Sequence, residues 1–278
     1  MTGKIGLVTG ANSGIGFATA EGLAKQGARV VMVSRDAERG EEARRQLVRR
    51  TGNANIDLLV ADLSSQQEIR RLARQFEERY DKLDVLVNNA GGVFAKKEMS
   101  ADGYEMTFAV NYLAPFLLTH LLLDRLKASG AGRIVNVASI MQAKRFQPDE
   151  SAQPRRYSSM TAYKEAKVAV LMMTYTLAER LAGSGITVNA LHPGVIYTPQ
   201  SARMAPAFAR PLMKLFMSTP EQGARMSLYM ASSPDMNSVS GKFYAKGQAR
   251  RTVPVSYDSK LQEELYNKSI RWAGLTLN

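Results

Sequence analysis

Short apolar runs alternate with amphipathic segments along most of the chain. Seven runs rich in β-branched residues recur, the last of them weakly, at residues 4–10, 28–35, 56–63, 83–91, 132–139, 185–194 and 241–245. Apolar side chains at helical spacing mark intervening segments such as residues 16–26, 36–50 and 66–80. Runs that are apolar at nearly every position are typical of parallel strands buried between two helix layers. The alternation therefore predicts an α/β fold with a doubly wound parallel sheet of about seven strands.

The whole chain is expected to form a single domain over residues 1–278, because no internal repeat and no linker divides it. The stretch at residues 142–159 is polar and contains several Gln, Ser and Pro residues, which favours a long loop inside the domain. A final helix is predicted at about residues 258–274.

The residue composition restricts the chemistry that is available. The chain has no cysteine, which excludes disulfides, zinc–thiolate sites and thiol nucleophiles. Its two histidines, His120 and His192, do not suffice for a histidine-rich metal site, so no metal is expected. The first strand begins without the basic and apolar regions of a signal peptide, and no apolar segment is long enough to span a bilayer. We therefore expect a soluble, cytoplasmic protein.

The net charge of +12 is concentrated in the second half of the chain. Residues 151–278 carry 16 basic and 7 acidic side chains. A nucleic-acid-binding surface would need a basic stripe with interleaved aromatic residues, and neither this pattern nor a known docking motif is present, so no nucleic-acid partner is expected. Two interpretations of the basic excess stay open, namely attraction of an acidic substrate and peripheral contact with an anionic membrane surface.

Small and polar residues separate the first strand from the first helix, where the sequence is Thr-Gly-Ala-Asn-Ser-Gly-Ile-Gly. Such a turn presents backbone N–H groups and a helix N-terminus to an anion. Gly10 permits a tight turn, Gly14 lets the backbone approach a pyrophosphate, and Gly16 lets the helix pack on the strand. The turn predicts a dinucleotide site formed by Gly10, Asn12, Ser13, Gly14, Ile15 and Gly16.

The end of the second strand predicts which dinucleotide binds. A residue about 20 positions after the glycine turn contacts the adenosine ribose in folds of this kind. Ser34 and Arg35 stand there, with no carboxylate on the last residue of the strand. An acidic residue would accept a hydrogen bond from a free 2′-hydroxyl, whereas an arginine attracts a 2′-phosphate. Arg35 therefore favours NADP(H) over NAD(H) as the cofactor.

Tyr163 and Lys167 form the candidate catalytic pair. They are four residues apart in a helical pattern, and hence lie on one face. A lysine ammonium close to the phenol is expected to lower the tyrosine pKa toward neutrality, which would make it a usable acid or base. Ser139 follows a predicted strand, where its hydroxyl can hold a substrate oxygen while Tyr163 exchanges the proton.

These motifs together resemble the short-chain dehydrogenase/reductase family, which has a Rossmann fold. The resemblance rests on the Gly-x-x-x-Gly-x-Gly spacing, Asn-Asn-Ala-Gly at residues 88–91, Tyr-Lys-Glu-Ala-Lys at residues 163–167 and His-Pro-Gly at residues 192–194. It covers nearly the whole chain and is most similar to the retinol dehydrogenase-like branch, which often has an N-terminal membrane anchor.

The resemblance implies further site residues. It gives Asn111 a supporting role in a proton relay with Lys167, and it places Tyr163 and Lys167 against the cofactor. It also implies cofactor contacts at Asp62, Leu63, Asn89, Ala90, Gly91, Pro193, Gly194, Val195 and Thr198. The segment at about residues 195–220 is expected to cover the substrate, and His192 is interpreted as structural.

The predicted function is NADP(H)-dependent transfer of a hydride between nicotinamide and a carbonyl or alcohol group of a fairly apolar small molecule. One alternative is a cofactor-binding regulator or scaffold that does not use its catalytic residues, although a complete set of four such residues argues against it. Another is a light-dependent pigment reductase of the protochlorophyllide type. The sequence leaves the substrate, the direction of the reaction and a homo-oligomeric state open.

Overall fold

The strands and helices alternate along the chain. A computed structural model describes residues 1–196 and 217–276. Over these residues the strands are β1 (Ile5–Thr9), β2 (Arg29–Ser34), β3 (Ile56–Val60), β4 (Val85–Asn88), β5 (Arg133–Val137), β6 (Thr187–Leu191), β7 (Phe243–Ala245) and β8 (Gln248–Ala249). The helices are α1 (Gly14–Lys25), α2 (Ala37–Thr51), α3 (Gln66–Glu77), α4 (Met106–Phe108), α5 (Ala114–Leu121), α6 (Leu123–Ala128), α7 (Pro148–Ala152), α8 (Ser159–Arg180), α9 (Pro220–Ser232) and α10 (Ser259–Trp272).

The sheet has the order β3-β2-β1-β4-β5-β6-β7-β8 within the described part of the chain. The first seven strands are parallel, which confirms the doubly wound α/β fold. The predicted count of about seven is one short, because β8 pairs antiparallel with β7 in a tight hairpin. Both residues of β8 are exposed, so its sequence carries no run of buried apolar residues.

Two apolar cores lie on opposite faces of the sheet. One core packs α3, α5, α8 and α10 around side chains such as Phe76, Phe116 and Leu171. The other core packs α1, α2 and α9 around Leu23, Leu47 and Met230. Because both faces are covered, the parallel strands are buried along nearly their whole length.

The predicted loop at residues 142–159 contains the short helix α7 and is therefore not entirely irregular. Backbone and side-chain hydrogen bonds fasten it to the segment that follows β4. The Lys97 ammonium donates to the Pro154 carbonyl at 2.6 Å, and the Tyr157 hydroxyl donates to the Phe94 carbonyl at 2.6 Å. Across residues 1–196 and 217–276, the helices all lack either the length or the apolar character required to cross a bilayer.

The parallel strands place their carboxyl ends along one edge of the sheet. The strand order reverses between β1 and β4, the position at which doubly wound folds form a ligand crevice. The glycine turn follows β1, Arg35 follows β2, and Ser139 lies just beyond β5. The fold therefore brings residues that are far apart in the sequence to the same edge.

Candidate active site

The glycine turn has a geometry that side chains larger than hydrogen would disturb. Gly10 has φ of 65°, in the left-handed region that favours glycine. A Cβ on Gly16 would lie 2.3 Å from the Gly10 carbonyl oxygen and 2.4 Å from the side-chain nitrogen of Asn89. The spacing of these two glycines therefore follows from the close approach of α1 to the turn.

Asn89 fixes the turn to the end of β4. Its side-chain amide donates to the Thr9 carbonyl at 2.8 Å, and its backbone N–H donates to the Thr9 hydroxyl at 3.0 Å. The N–H of Ala90 donates to the same hydroxyl at 2.9 Å. The Asn-Asn-Ala-Gly motif thus supports the glycine turn, in addition to lining the adjoining cavity.

A cavity of about 540 Å³ opens beside this turn at the strand-order reversal. Most of the predicted cofactor-binding residues contribute to its wall. These are Gly10, Asn12, Ser13, Gly14, Ile15, Gly16, Arg35, Asp62, Leu63, Asn89, Ala90 and Gly91. Ser13 precedes α1 without giving it a side-chain cap, which leaves first-turn N–H groups for an anion. The cavity, the glycine cradle and the uncapped helix end together fit a dinucleotide.

Two arginines face the end of this cavity beyond β2. Arg35 lies there as predicted, and Arg39 from the first turn of α2 lines the same cavity. Asp36 caps α2 by accepting from the Arg39 N–H at 3.0 Å, and its carboxylate lies 3.6 Å from the Arg39 guanidinium. The sequence analysis did not identify Arg39 as a cofactor-binding residue. Its position offered a signal, because a residue one helical turn after the N-cap Asp36 lies on the same side of α2 as Asp36.

The remaining predicted cofactor contacts lie apart from the cavity wall. Pro193, Gly194 and Val195 follow β6 at the same sheet edge, but they are not among the residues that line the cavity. Thr198 and most of the segment expected to cover the substrate lie outside the described residues.

His192 donates its backbone N–H to the Tyr244 carbonyl at 2.8 Å, and burial lowers its imidazole pKa.

Ser139 and Tyr163 meet at the carboxyl end of β5. The Ser139 side chain acts to lower the Tyr163 pKa. The Ser139 hydroxyl also accepts from the Met141 N–H at 3.0 Å, which leaves its own proton available for donation. The serine is 3% exposed, so both groups work in a largely desolvated setting.

Lys167 lies one helical turn below Tyr163 on α8. Its ammonium is 5.5 Å from the centre of the Tyr163 ring and donates to the Val137 carbonyl at 2.9 Å. Burial lowers the Lys167 pKa to about 8. Burial is also the largest influence on Tyr163 and raises its pKa. The expectation that Lys167 lowers the Tyr163 pKa toward neutrality is therefore wrong for this arrangement, in which the Ser139 side chain is the group that acts to lower it.

Asn111 occupies a π-helical turn, Ala109–Leu113, between α4 and α5. Its side-chain nitrogen donates to the carbonyls of Gly92 and Thr107 at 2.9 and 2.8 Å. A Cβ placed on Gly91 would lie 2.5 Å from the Asn111 oxygen and 3.5 Å from the Lys167 nitrogen. Both side chains therefore converge over Gly91, which also lines the cavity.

Comparisons with known proteins agree with this arrangement. The family model for the short chain dehydrogenases matches residues 4–207. Human (Homo sapiens) retinol dehydrogenase 13 is 37% identical over 98% of this chain and 85% of its own length. The crystal structure of an uncharacterised protein from Mycobacterium paratuberculosis is 30% identical, covers 100% of this chain and 96% of that chain, and has a TM-score of 0.80.

A third similar protein was solved with ligands. L-Sorbose reductase from Gluconobacter frateurii, in complex with NADPH and L-sorbose, is 26% identical, with a TM-score of 0.74 over 91% of this chain and 98% of that chain. The chain belongs to the short-chain dehydrogenase family, in its retinol dehydrogenase-like branch. It is an oxidoreductase of alcohol or carbonyl groups that uses a nicotinamide cofactor.

Proposed function

We propose that the protein is an NADP(H)-dependent oxidoreductase that interconverts a carbonyl group and an alcohol on a fairly apolar substrate. The observation that carries this proposal is the grouping of Ser139, Tyr163 and the buried Lys167, whose ammonium lies 5.5 Å from the centre of the Tyr163 ring. These residues lie at the same sheet edge as the dinucleotide cavity, and Gly91 in the cavity wall lies close to the Lys167 ammonium.

Each site side chain has a distinct role in this proposal. The bound nicotinamide supplies or accepts the hydride. The Ser139 hydroxyl holds the substrate oxygen and orients it toward Tyr163. The Tyr163 hydroxyl gives a proton to that oxygen during reduction and takes one back during oxidation. Lys167 places its ammonium 5.5 Å from the centre of the Tyr163 ring, where it donates to the Val137 carbonyl. Asn111 donates to the Gly92 carbonyl beside the cavity.

Two observations support a preference for NADP(H). Arg35 and Arg39 supply positive charge at the end of the cavity where the adenosine ribose would bind. Asp36 also lines this cavity, where its carboxylate caps α2 and lies 3.6 Å from the Arg39 guanidinium. The L-sorbose reductase that resembles this chain was solved with NADPH.

An apolar substrate is supported by the surface around Ser139 and the end of β6. Ile140, Met141 and Val195 are 54%, 38% and 63% exposed, which is high for side chains of their type. All three follow strands that end at the catalytic edge. Because the relatives include a retinol dehydrogenase, a retinoid aldehyde is a suitable first substrate to test.

A substrate panel tests this proposal. The purified protein is mixed with NADPH and a series of apolar aldehydes and ketones, including retinal, and with NADP⁺ and the matching alcohols. NADPH absorbance is followed in each case. Turnover of at least one apolar pair is expected, with slower turnover of small polar carbonyls. Binding of NADPH without turnover of any pair would favour a cofactor-binding regulator instead.

A further inference from the structure

Gln142 links the catalytic serine to a segment near the carboxyl terminus. Its side-chain nitrogen donates to the Ser139 carbonyl at 2.9 Å, and its side-chain oxygen accepts from the Val253 N–H at 2.9 Å. A carbonyl can only accept and an N–H can only donate. The bridge therefore needs a side chain that carries a donor and an acceptor at this reach, and glutamine is such a side chain.

The turn that carries Ser139 has little apolar packing to hold it in place. Ile140 and Met141, the next two residues, are 54% and 38% exposed. Hydrogen bonds must supply the order that burial does not. Two hydrogen bonds hold the turn besides the Gln142 bridge. The Ala143 N–H donates to the Lys164 carbonyl at 3.4 Å, and the Met141 N–H donates to the Ser139 hydroxyl.

The segment at the other end of the bridge is itself anchored on α8. The Thr252 hydroxyl lies 2.8 Å from the Tyr175 hydroxyl, and the Tyr257 ring stacks on the Tyr175 ring with centroids 5.1 Å apart. The Thr252 N–H donates to the Tyr257 hydroxyl at 3.0 Å. Since α8 also carries Tyr163, the bridge joins the serine turn, through a fixed segment, to the helix of its catalytic partner.

We infer that Gln142 is a positioning residue, which holds the Ser139 hydroxyl at the distance and angle that Tyr163 and the substrate oxygen require. The inference rests on the catalytic role proposed for Ser139 and Tyr163. Loss of the bridge lets the exposed turn move, so that the serine hydroxyl meets the substrate oxygen and Tyr163 less often.

The two halves of the bridge can be broken separately. Gln142→Glu preserves the size and the acceptor toward Val253 but removes the donor to the Ser139 carbonyl. Val253→Pro removes the N–H at the other end, and the Val253 φ of −60° already matches a proline ring. Gln147→Glu is the matched control, because Gln147 is exposed on the same loop and its side chain does not cap α7.

Kinetics of these variants test the inference. We expect each bridge variant to lose about tenfold in kcat/KM, as for one lost hydrogen bond. The double variant should lose no more than the worse single variant, because both changes break one bridge. Gln147→Glu should match the wild type, and the NADPH Kd should be unchanged in all four variants.

The pH profile separates positioning from loss of stability. The oxidation rate should rise with pH as Tyr163 loses its proton. Because the Ser139 side chain acts to lower the Tyr163 pKa, displacement of the serine should move this rising limb to higher pH. A purely structural role would lower the unfolding temperature and leave that limb in place, which would overturn the inference.

Ser139→Ala, measured alongside, distinguishes the two levels of failure. If Ser139→Ala is inactive while both bridge variants turn over like the wild type, the inference about Gln142 is wrong and the proposed function stands. If Ser139→Ala is fully active, the serine has no catalytic role, and the proposed mechanism fails together with the inference.

Discussion

At the residue scale, Lys167 is a buried basic residue within the proposed catalytic group. Lys167 is only 4% exposed, and its ammonium donates to the Val137 backbone carbonyl. Burial lowers its pKa from 10.5 to about 8. The folded protein therefore holds this proton less tightly than the unfolded chain does, and the buried charge is a cost to stability at neutral pH.

Replacement of Lys167 by Met should change how stability depends on pH. The cost of the charge is fully present below pH 8 and is relieved as the pH rises from about 8 to 10.5. Over that window the free energy of unfolding of the wild type should rise relative to Lys167→Met, by at most about 3 kcal/mol. Denaturant unfolding at several pH values measures the difference, and a constant difference would show that burial does not shift this pKa.

Arg35 governs a second prediction at this scale. Wild-type protein should bind NADPH more tightly than NADH, because the guanidinium meets a 2′-phosphate that NADH lacks. Arg35→Asp should lose this preference, since a carboxylate repels the phosphate and accepts from a free 2′-hydroxyl. Fluorescence titration of both proteins with both cofactors is the measurement. Equal affinity of the wild type for the two cofactors would contradict the assignment.

At the scale of elements, the contact of α1 with the glycine turn determines the cofactor cavity. Gly16→Ala would place a Cβ 2.3 Å from the Gly10 carbonyl, a distance that forces the backbone to shift. We expect NADPH binding to weaken at least about tenfold together with a loss of stability. Binding titrations and thermal unfolding check both effects.

Gly22→Ala on the same helix is the matched control for that prediction. Its Cβ would meet the flexible end of the Leu228 side chain at 2.4 Å, away from the cavity. This variant should lose stability and still bind NADPH normally. If the two variants affect NADPH binding equally, the contact of Gly16 with the turn has no special importance for the cofactor.

The strands and the cavity could be predicted because their signals are local. The runs that become β1 to β6 are apolar at most positions, and the glycine turn lies within eight residues. Strand β8 gave no such signal, because Gln248 and Ala249 are exposed. The π-helical turn around Asn111 depends on backbone hydrogen bonding that side-chain periodicity does not reveal.

Contacts between distant residues were the other feature that the sequence did not reveal. Gln142 and Val253 are 111 positions apart, and nothing in either neighbourhood indicates the other. The direction of the Tyr163 pKa shift was missed for a related reason. Helical spacing places Lys167 on the same helix face as Tyr163. How far the Tyr163 phenol is desolvated depends on residues that only the whole fold brings around it.

At the scale of the whole molecule, the basic excess after residue 150 has an expected effect on substrate choice. The exposed Arg155 and Arg156 belong to this part of the chain, and the exposed Lys144 and Arg145 lie on the same loop between Ser139 and Tyr163. Charges around a cleft raise the local concentration of an oppositely charged substrate. An apolar substrate with an acidic end should therefore turn over faster than a neutral one of equal size.

Salt dependence tests this expectation. The kcat/KM for the acidic substrate should fall as salt is added and should fall in Arg145→Glu, while the values for the neutral substrate stay constant. Lipid is left out of these assays. If the two substrates behave alike and the protein instead sediments with anionic vesicles, the basic excess serves a membrane surface.

The central claim is that Tyr163 exchanges the proton while the cofactor exchanges the hydride. It is tested most directly by a comparison of wild type and Tyr163→Phe in a single turnover of NADPH with an apolar aldehyde. The variant should bind NADPH with nearly wild-type affinity and reduce the aldehyde about 10²–10⁴-fold more slowly, because only the proton donor is lost. A Tyr163→Phe protein that consumes NADPH at close to the wild-type rate would contradict it.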